Sequence, residues 1–353
     1  MLNSQQEDGS YLAFSDLLTG YRLSFALMLA HDAGVFDAIN QEGAEGSELC
    51  AKLGWEPVYG DRFLRCLRGL GLLRQDGSRY FLSPFATTYL WSGSVQYQGR
   101  TLAFEKQLYH SWEQLAACLT AGKRVFATED KDPQELQRAF STYLGSMDEA
   151  ACIRAEELWE WFPPPASCGT ILDIGAGSGA FLNNFLLRYP GWRGIFCDLP
   201  EVVAGRELHR RLAAIGDRIT WCGCNLLADS PSDFDGVPEQ SCDLVFLSNV
   251  IHCQGTTETD VLLRKAASKT REQGVLVIHD FFSDTGWRGA LYDIHMMLNT
   301  FNGKTYALQE IIGMAESYGF CHSCSQLLRS GSSVLVFARD QERMTSFFDL
   351  QRG

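Results

Sequence analysis

The stretch that decides the fold is Thr170-Ile-Leu-Asp-Ile-Gly-Ala-Gly-Ser-Gly-Ala-Phe181, an apolar strand that runs into a glycine-rich turn and then a helix. The next apolar segment, residues 194–198, ends in Asp198. Glycines let the backbone approach a ligand closely, and an acidic residue at the end of the second strand can accept both hydroxyls of a ribose. The pattern predicts a nucleoside cofactor at the carboxyl ends of parallel strands.

Two classes of cofactor fit this turn. Gly175-x-Gly177-x-x-Ala180 also satisfies a dinucleotide fingerprint. However, Asp173 stands two residues before the first glycine, where its carboxylate would repel the pyrophosphate of NAD. S-adenosyl-L-methionine brings an ammonium and a sulfonium instead, and a cationic ligand favours a carboxylate. We therefore expect S-adenosyl-L-methionine as the cofactor and S-adenosyl-L-homocysteine as its product.

Apolar strands alternate with helices through the second half of the chain. The alternation predicts an α/β fold with a mostly parallel sheet, covered on both faces and with ligands at the carboxyl ends of its strands. Strands are predicted at residues 170–173, 194–198, 219–222, 244–247, 275–278 and 333–337, and helices at 180–188, 203–215 and 259–270.

The first half of the chain is predicted to be mostly helical. Apolar residues recur at helical spacing over residues 17–39, Ser47 is a candidate N-cap of a short helix, and another helix is expected at 61–70. Asp76-Gly77 then predicts a hairpin turn. Helix, helix and hairpin form a winged-helix pattern. Residues 101–161 read as helical, and the prolines after Phe162 mark a domain boundary.

Composition argues against several partners. The 353 residues carry 30 Lys and Arg against 43 Asp and Glu, a net charge of −13 that repels a nucleic-acid backbone. Arg62, Arg65 and Arg68 of the winged-helix segment are therefore read as a solvated surface. No apolar run approaches the roughly 18 residues of a membrane span, and the first residues lack signal-peptide features. We expect a cytoplasmic protein that binds neither nucleic acid nor membrane.

The twelve cysteines are scattered, and many lie in apolar runs, as is typical of reduced core thiols. The pairs Cys321/Cys324 and Cys222/Cys224 have spacings that a metal could use, but neither has a second properly spaced ligand pair. We expect no metal site.

Several motifs together resemble a family, the small-molecule O-methyltransferases of the plant caffeate, acetylserotonin and bacterial antibiotic type. The resemblance covers nearly the whole chain. It implies a class I methyltransferase domain with a Rossmann-like fold at residues 166–353, a winged-helix dimerisation domain at 1–100, and a helical linker at 101–165 that contributes to the substrate pocket. The matching segments are residues 173–179, 198–203, 224–231, 247–252, 279–281 and 291–303.

The resemblance also implies which residues hold the cofactor. Gly175 and Gly177 would lie under its methionine part, and Asp198 with Leu199 would hold ribose and adenine. Asn225 replaces the family's adenine-contacting Asp, which removes the charge but keeps an acceptor. The expected set is Asp173, Gly175, Gly177, Asp198, Leu199, Asn225, Leu226, Ser248 and Asn249.

A methyl transfer to a hydroxyl needs a base near the acceptor oxygen, and histidine suits that role near neutral pH. His252 follows a strand at the carboxyl edge of the sheet and matches the family's catalytic histidine. The usual His-Asp-Trp reads His252-Cys-Gln here, and the family's two orienting Glu positions fall at His279 and Thr305. Asp280 is therefore the candidate to orient His252.

The resemblance also implies which positions line the site of the methyl acceptor. At one of them, His295 replaces the Asn that family members use beside the substrate. The expected substrate residues are Met147, His279, His295 and Asn299.

These features favour a homodimeric enzyme that methylates a hydroxyl of a small aromatic or polycyclic metabolite, with the apolar helix at 17–29 in its interface. Three alternatives stay open. They are methylation at carbon of a tetrapyrrole or another electron-rich ring, a relative that binds the cofactor without transferring methyl, and a winged-helix regulator that senses a metabolite.

Overall fold

The computed structural model describes residues 10–122, 132–164, 166–227 and 236–340. Residues 228–231 of one matching segment, and the first nine residues of the chain, lie outside the described residues. The chain divides into two units, one of residues 1–107 with 141–149 and the other of residues 108–140 with 150–353.

The first unit begins with three helices, and the helical spacing over residues 17–39 is confirmed. They are α1 (Tyr11–Thr19), α2 (Tyr21–Asp32) and α3 (Val35–Ala38). Gly34, with a φ of 75°, takes the left-handed conformation that separates α2 from α3.

A small antiparallel sheet follows and contains the predicted hairpin. Its strands β1 (Ala44–Glu45), β2 (Leu73–Asp76) and β3 (Arg79–Leu82) lie in the order β1-β3-β2. Gly77 has a φ of 55° in the turn between β2 and β3, so the turn prediction is confirmed.

Two helices, α4 (Gly46–Lys52) and α5 (Pro57–Gly69), lie between β1 and β2. Ser47 is not the N-cap of α4. Glu45 is, because it ends β1 in an extended conformation directly before the helix, and the Glu48 carboxylate accepts from its backbone N–H at 3.3 Å. Helix α5 starts earlier than predicted because Glu56 caps it by accepting from the Tyr59 N–H at 2.9 Å.

Helices α6 (Pro84–Tyr89), α7 (Gly99–Glu113), α8 (Leu115–Ala121) and α9 (Pro133–Trp161) complete the helical half. The predicted break after residue 161 is confirmed, since α9 ends at Trp161.

The large sheet of the second unit has seven strands. They are β4 (Gly169–Ile174), β5 (Trp192–Asp198), β6 (Ile219–Gly223), β7 (Cys242–Ser248), β8 (Thr270–Asp280), β9 (His322–Leu327) and β10 (Ser333–Ala338), in the order β6-β5-β4-β7-β8-β10-β9. The first five are parallel in that order, while β10 runs antiparallel to β8 and β9 antiparallel to β10. The α/β prediction is confirmed, and β9 is an additional strand.

Helices cover both faces of this sheet. They are α10 (Ala180–Arg188), α11 (Pro200–Val203), α12 (Arg206–Arg211), α13 (Thr256–Lys269), α14 (Trp287–Asn299) and α15 (Leu308–Ser317), with 3-10 turns at Ala213–Arg218 and Ile251–Cys253. The single helix predicted over residues 203–215 is divided between α11, α12 and the first turn because Gly205 takes an extended conformation.

An aromatic cluster fixes the end of α9 against the sheet. The Trp159 ring contacts Phe185 and Phe246, with centroid distances of 4.8 and 4.9 Å, and its indole N–H donates to the Phe181 carbonyl at 3.0 Å. Because Phe181 lies in the first turn of α10, this cluster also holds the helix that follows the glycine-rich turn.

Within the described residues, no single helix is both long and apolar enough to span a membrane. The bent pair α1 and α2 meets the criteria of length and composition when its two helices are taken together.

Candidate functional site

The glycine-rich turn follows β4 and keeps its backbone open. Gly175 and Gly177 have φ values of 73° and 55°. A Cβ on Gly175 would lie 2.6 Å from the Val250 side chain, whereas a Cβ on Gly177 would meet nothing closer than 3.9 Å. Gly175 is therefore required by packing, and Gly177 leaves space above the turn for a ligand.

Asp198 joins this turn to the end of β5. Its carboxylate accepts from the Gly177 N–H and from the Leu199 N–H, both at 2.7 Å. Burial raises the pKa of the carboxyl, and these two hydrogen bonds oppose the rise. The carboxylate thus positions both loops while keeping acceptor capacity for a ligand hydroxyl.

Asp173 has a buried carboxylate oxygen without a partner. The residue is 2% exposed, and its Oδ2 accepts no hydrogen bond from any described residue. Burial, together with the neighbouring Asp198 carboxylate, raises the pKa of Asp173 well above its ordinary value. A buried unpaired carboxylate is costly, and an ammonium group would remove the cost. The residue therefore fits the cationic amino-acid end of S-adenosylmethionine.

Asn225 and Leu226 follow β6. Asn225 is exposed, and its Oδ1 accepts from the Leu227 N–H at 3.1 Å. An amide oxygen has a second lone pair, so an acceptor remains for a ligand amine. Leu226 lies beside the turn, 3.5 Å from the position of a Cβ on Gly175.

Ser248 and Asn249 end β7 on the other side of β4. The Ser248 hydroxyl hydrogen-bonds His279 Nδ1 at 2.9 Å and accepts from the Asn249 amide at 3.1 Å. Asn249 has a φ of 54°, and its Oδ1 is buried without a partner among the described residues. This loop therefore offers a free acceptor close to the glycine-rich turn.

His252 and Asp280 meet at the carboxyl ends of β7 and β8. His252 Nδ1 is hydrogen-bonded to the Asp280 carboxylate, which also accepts from the Phe281 N–H at 2.7 Å. Nε2, on the other side of the ring, lies 3.4 Å from the Tyr292 hydroxyl. The carboxylate fixes the ring and its tautomer, which leaves Nε2 as the nitrogen that can accept a proton.

The electrostatics of His252 favour its charged form. The residue is 4% exposed, and this burial disfavours the imidazolium. The Asp280 carboxylate, with smaller contributions from Tyr292 and Cys253, outweighs burial and raises the pKa of His252 well above its ordinary value.

Three residues near His252 were not predicted from the sequence. Phe281 and Tyr292 stack with ring centroids 4.1 Å apart, and the Arg154 guanidinium lies 4.9 Å from the Phe281 centroid. Burial lowers the pKa of Arg154, and the nearby Tyr292 and Asp280 oppose this shift. A lone basic residue in the apolar run at 150–155 is the signal that could have revealed it.

The residues expected to contact the methyl acceptor differ in their burial and in their hydrogen-bond partners. His279 is fully buried, and its Nε2 is 2.7 Å from the Ser332 hydroxyl, so both ring nitrogens have partners within the fold. Burial, with Arg154 and His252 nearby, lowers the pKa of His279 to about 3. The geometry therefore supports a structural role for His279 and lends no support to substrate contact.

His295 and Asn299 lie together on α14. The Asn299 amide is 3.1 Å from His295 Nδ1 and donates to its carbonyl at 2.9 Å. Burial, with His252 nearby, lowers the pKa of His295 to about 4, and its ring lies 5.4 Å from that of Tyr292. Tyr292, whose hydroxyl lies near His252 Nε2, is on the same helix as His295 and Asn299. Met147 lies in the part of α9 that belongs to the first unit.

Thr305 takes the place of the second orienting Glu but contacts a different partner. Its backbone N–H and hydroxyl donate to Asp293 at 2.7 and 3.0 Å. Orientation of His252 therefore falls to Asp280.

Comparisons with known proteins place this site in a family. An O-methyltransferase domain model matches residues 107–321, and an O-methyltransferase dimerisation domain model matches residues 15–92. The chain is 27% identical over 295 residues to the N,N-dimethyltransferase OxyT of Streptomyces rimosus, covering 80% of this chain and 81% of the relative.

A mammalian relative and a solved structure agree with this match. The chain is 27% identical over 321 residues to the acetylserotonin O-methyltransferase of Bos taurus, covering 84% of this chain and 88% of the relative. The crystal structure of human N-acetylserotonin methyltransferase in complex with S-adenosylmethionine superposes with a TM-score of 0.76, at 20% identity over 94% of this chain and 98% of the human chain. The chain therefore belongs to the O-methyltransferase family, and it is an S-adenosylmethionine-dependent O-methyltransferase of small molecules with a dimerisation domain and a Rossmann-like catalytic domain.

Proposed function

We propose that His252 is the general base in methyl transfer to a hydroxyl of a small aromatic or polycyclic metabolite. The observation that carries this proposal is the hydrogen bond of His252 Nδ1 to Asp280, which leaves Nε2 beside Tyr292. A base held by a carboxylate through one nitrogen presents the other to a substrate proton. Asp280 positions the base, and the Tyr292 hydroxyl marks where a ligand hydroxyl can approach Nε2.

The cofactor residues would divide the molecule between them. S-adenosylmethionine, when bound, supplies a methyl group on a positively charged sulfur. Asp173 would pair with its ammonium, and Asp198 would accept from its ribose hydroxyls. Asn225, Leu226 and Leu199 would contact the adenine end, while Ser248 and Asn249 would line the pocket between cofactor and base.

The proton on His252 sets the pH dependence. An imidazolium cannot accept a proton, and Asp280 stabilises the imidazolium. The enzyme therefore gains its active base only as pH rises through the raised pKa of His252. Deprotonation of the acceptor hydroxyl then transfers its proton to Nε2 as the oxygen attacks the methyl carbon.

Arg154 narrows the class of acceptor. Its guanidinium lies over the Phe281 ring, it is partly buried, and it forms no ion pair among the described residues. The Asp280 carboxylate attracts it, but that carboxylate is already hydrogen-bonded to His252. An anionic group on the acceptor would give Arg154 a direct partner. We expect an acceptor with an acidic group on the same ring system as the hydroxyl, which Arg154 would bind.

The first unit supplies the dimer interface of the proposed homodimer. Helices α1 and α2 expose many apolar side chains, far beyond the scattered ones of an ordinary surface. They are Tyr11, Leu12, Phe14, Leu17, Leu18, Tyr21, Leu23, Phe25 and Leu29.

The domain limits at 1–100, 101–165 and 166–353 stay proposals. A cytoplasmic location is also a proposal, which the twelve free cysteines favour.

Replacing the base tests the proposal directly. His252→Asn should lower methyl transfer about 100- to 10,000-fold, with S-adenosylhomocysteine affinity unchanged, because the residue acts on the acceptor proton. Transfer of labelled methyl to a panel of phenols, hydroxynaphthoates and aromatic amines measures it, with the exposed His110→Asn as control. Activity retained by His252→Asn would contradict the assignment.

The pH profile tests the role of Asp280. The kcat/KM of the wild type should rise with pH, with an apparent pKa above 6.5, because His252 must first lose its proton. Asp280→Asn removes the charge that holds this proton, so its profile should shift to lower pH while its maximal rate falls. A profile that does not move would show that Asp280 has no such effect.

The charge on Arg154 is tested by comparing acceptors. Arg154→Met should raise KM for hydroxy-carboxylic acceptors about 10- to 100-fold, because one buried charge-assisted hydrogen bond is lost. Neutral phenols should be affected little. The exposed Arg288→Met, which also stacks on an aromatic ring, is the control. An equal loss for both acceptor classes would indicate a merely structural role.

The homodimer is tested by sedimentation at about micromolar concentration, where an obligate interface keeps both subunits together. The wild type should sediment as a dimer, and Leu17→Glu/Leu18→Glu should dissociate it by burying charge in the interface. Val95→Glu, at a residue that is 99% exposed, should stay dimeric. A monomeric wild type would count against the interface.

A further inference from the structure

Three cysteine side chains meet behind the cofactor residues. Cys197 lies on β5, Cys222 on β6, and Cys224 directly after β6. Their sulfur atoms all lie within 4.8 Å of one another, and those of Cys197 and Cys224 are 3.0 Å apart. All three residues are buried. Within the described ranges, no other cluster of three metal-ligating side chains is this close.

Strand pairing produces this cluster. Cys197 and Cys222 are direct partners in the parallel ladder of β5 and β6, and the Cys224 N–H donates to the Asp198 carbonyl at 2.8 Å. The sequence alone does not predict this cluster, because Cys222 and Cys224 are only two ligands. The third sulfur comes from the neighbouring strand, which the sequence pattern does not reveal.

We propose that Cys197, Cys222 and Cys224 bind one soft, thiophilic metal ion of the Cu(I) type. Metal–sulfur bonds of about 2.3 Å in a trigonal site place the sulfurs about 4 Å apart. The three sulfurs here lie within 4.8 Å of one another, and those of Cys197 and Cys224, now 3.0 Å apart, would separate by about 1 Å on binding. Structural zinc takes four ligands, and no described residue supplies a fourth here. Thiolates favour Cu(I), which suits a three-sulfur site. On binding, metal–sulfur bonds replace the S–H bonds, and these protons leave to solvent.

The site is coupled to the cofactor through the chain itself. Cys197 directly precedes Asp198, and Cys224 directly precedes Asn225. An ion bonded to all three sulfurs fixes the ends of β5 and β6, from which both proposed cofactor residues project. Metal loading therefore changes cofactor affinity.

The test is a titration of the reduced full-length protein with Cu(I) in competition with a chromophoric Cu(I) chelator. The wild type and Cys242→Ser, a buried cysteine outside the cluster, should each hold one tight equivalent. Cys222→Ser should lose it, or weaken it at least about tenfold. Loading should change S-adenosylhomocysteine affinity at least about threefold in the wild type and Cys242→Ser only, since the coupling needs an intact site.

Several results would overturn the proposal. A tight equivalent retained by Cys222→Ser, none in the wild type, or a Cys197–Cys224 disulfide in the isolated protein would each exclude the site. Unchanged S-adenosylhomocysteine affinity on loading would exclude the coupling. Two measurements separate loss of the metal site from misfolding. Each metal-free variant should bind S-adenosylhomocysteine and give the circular dichroism spectrum of the wild type. The variant Cys222→Ala should lose the metal in the same way as Cys222→Ser. If the proposed cofactor residues do not bind the cofactor, the metal-free wild type will fail to bind S-adenosylhomocysteine. That result is distinct from a failure of the metal site.

Discussion

The parallel pairing of β4 between β5 and β7 is the constraint on which the catalytic unit depends. It brings the carboxyl ends of the central strands to one edge of the sheet. From β4 the chain continues to β5 on one side, and from β7 it continues to β8 on the other, so a crevice opens between them. The proposed cofactor residues at the ends of β4 and β5 lie on one side of this crevice, and His252 with Asp280 lies on the other. The Asp198 carboxylate then ties the glycine-rich turn to β5 through two backbone hydrogen bonds.

Ionisable groups without a direct partner are the second organising feature. The Asp173 Oδ2 atom has no hydrogen-bond partner among the described residues, and Arg154 forms no ion pair with them, although the Asp280 carboxylate attracts it. Both residues lie in the unit that contains His252. The unpartnered Asp173 carboxyl is unfavourable in the protein alone. A ligand pair with an ammonium at one end and an acidic acceptor at the other would neutralise both. Under the proposed function, this cost would be recovered as binding specificity, since neutral or wrongly charged ligands would leave these groups without partners.

The sequence predicted the sheet well because buried parallel strands are nearly continuous apolar runs. It missed β9, whose residues His322-Ser-Cys-Ser-Gln-Leu327 form a polar edge strand without that signal. The helical periodicity over residues 17–39 did not show the break at Gly34, because periodicity does not register a left-handed glycine. In the candidate site, Asp280 was identified from its position beside a family motif. The partners of His279, the position of Arg154 and the third cysteine of the cluster depend on pairings between distant segments, which one sequence does not encode locally.

The most direct measurement of the central claim is proton release when S-adenosylhomocysteine binds. Calorimetry at about pH 6, where a free α-amino group is already protonated, in buffers of different ionisation enthalpy counts the protons exchanged. Because the pKa of Asp173 is raised in the free protein and an ammonium lowers it, the wild type should release protons. Asp173→Asn should bind more weakly and lose that component. The same proton count in both proteins would contradict the pairing of Asp173 with the cofactor.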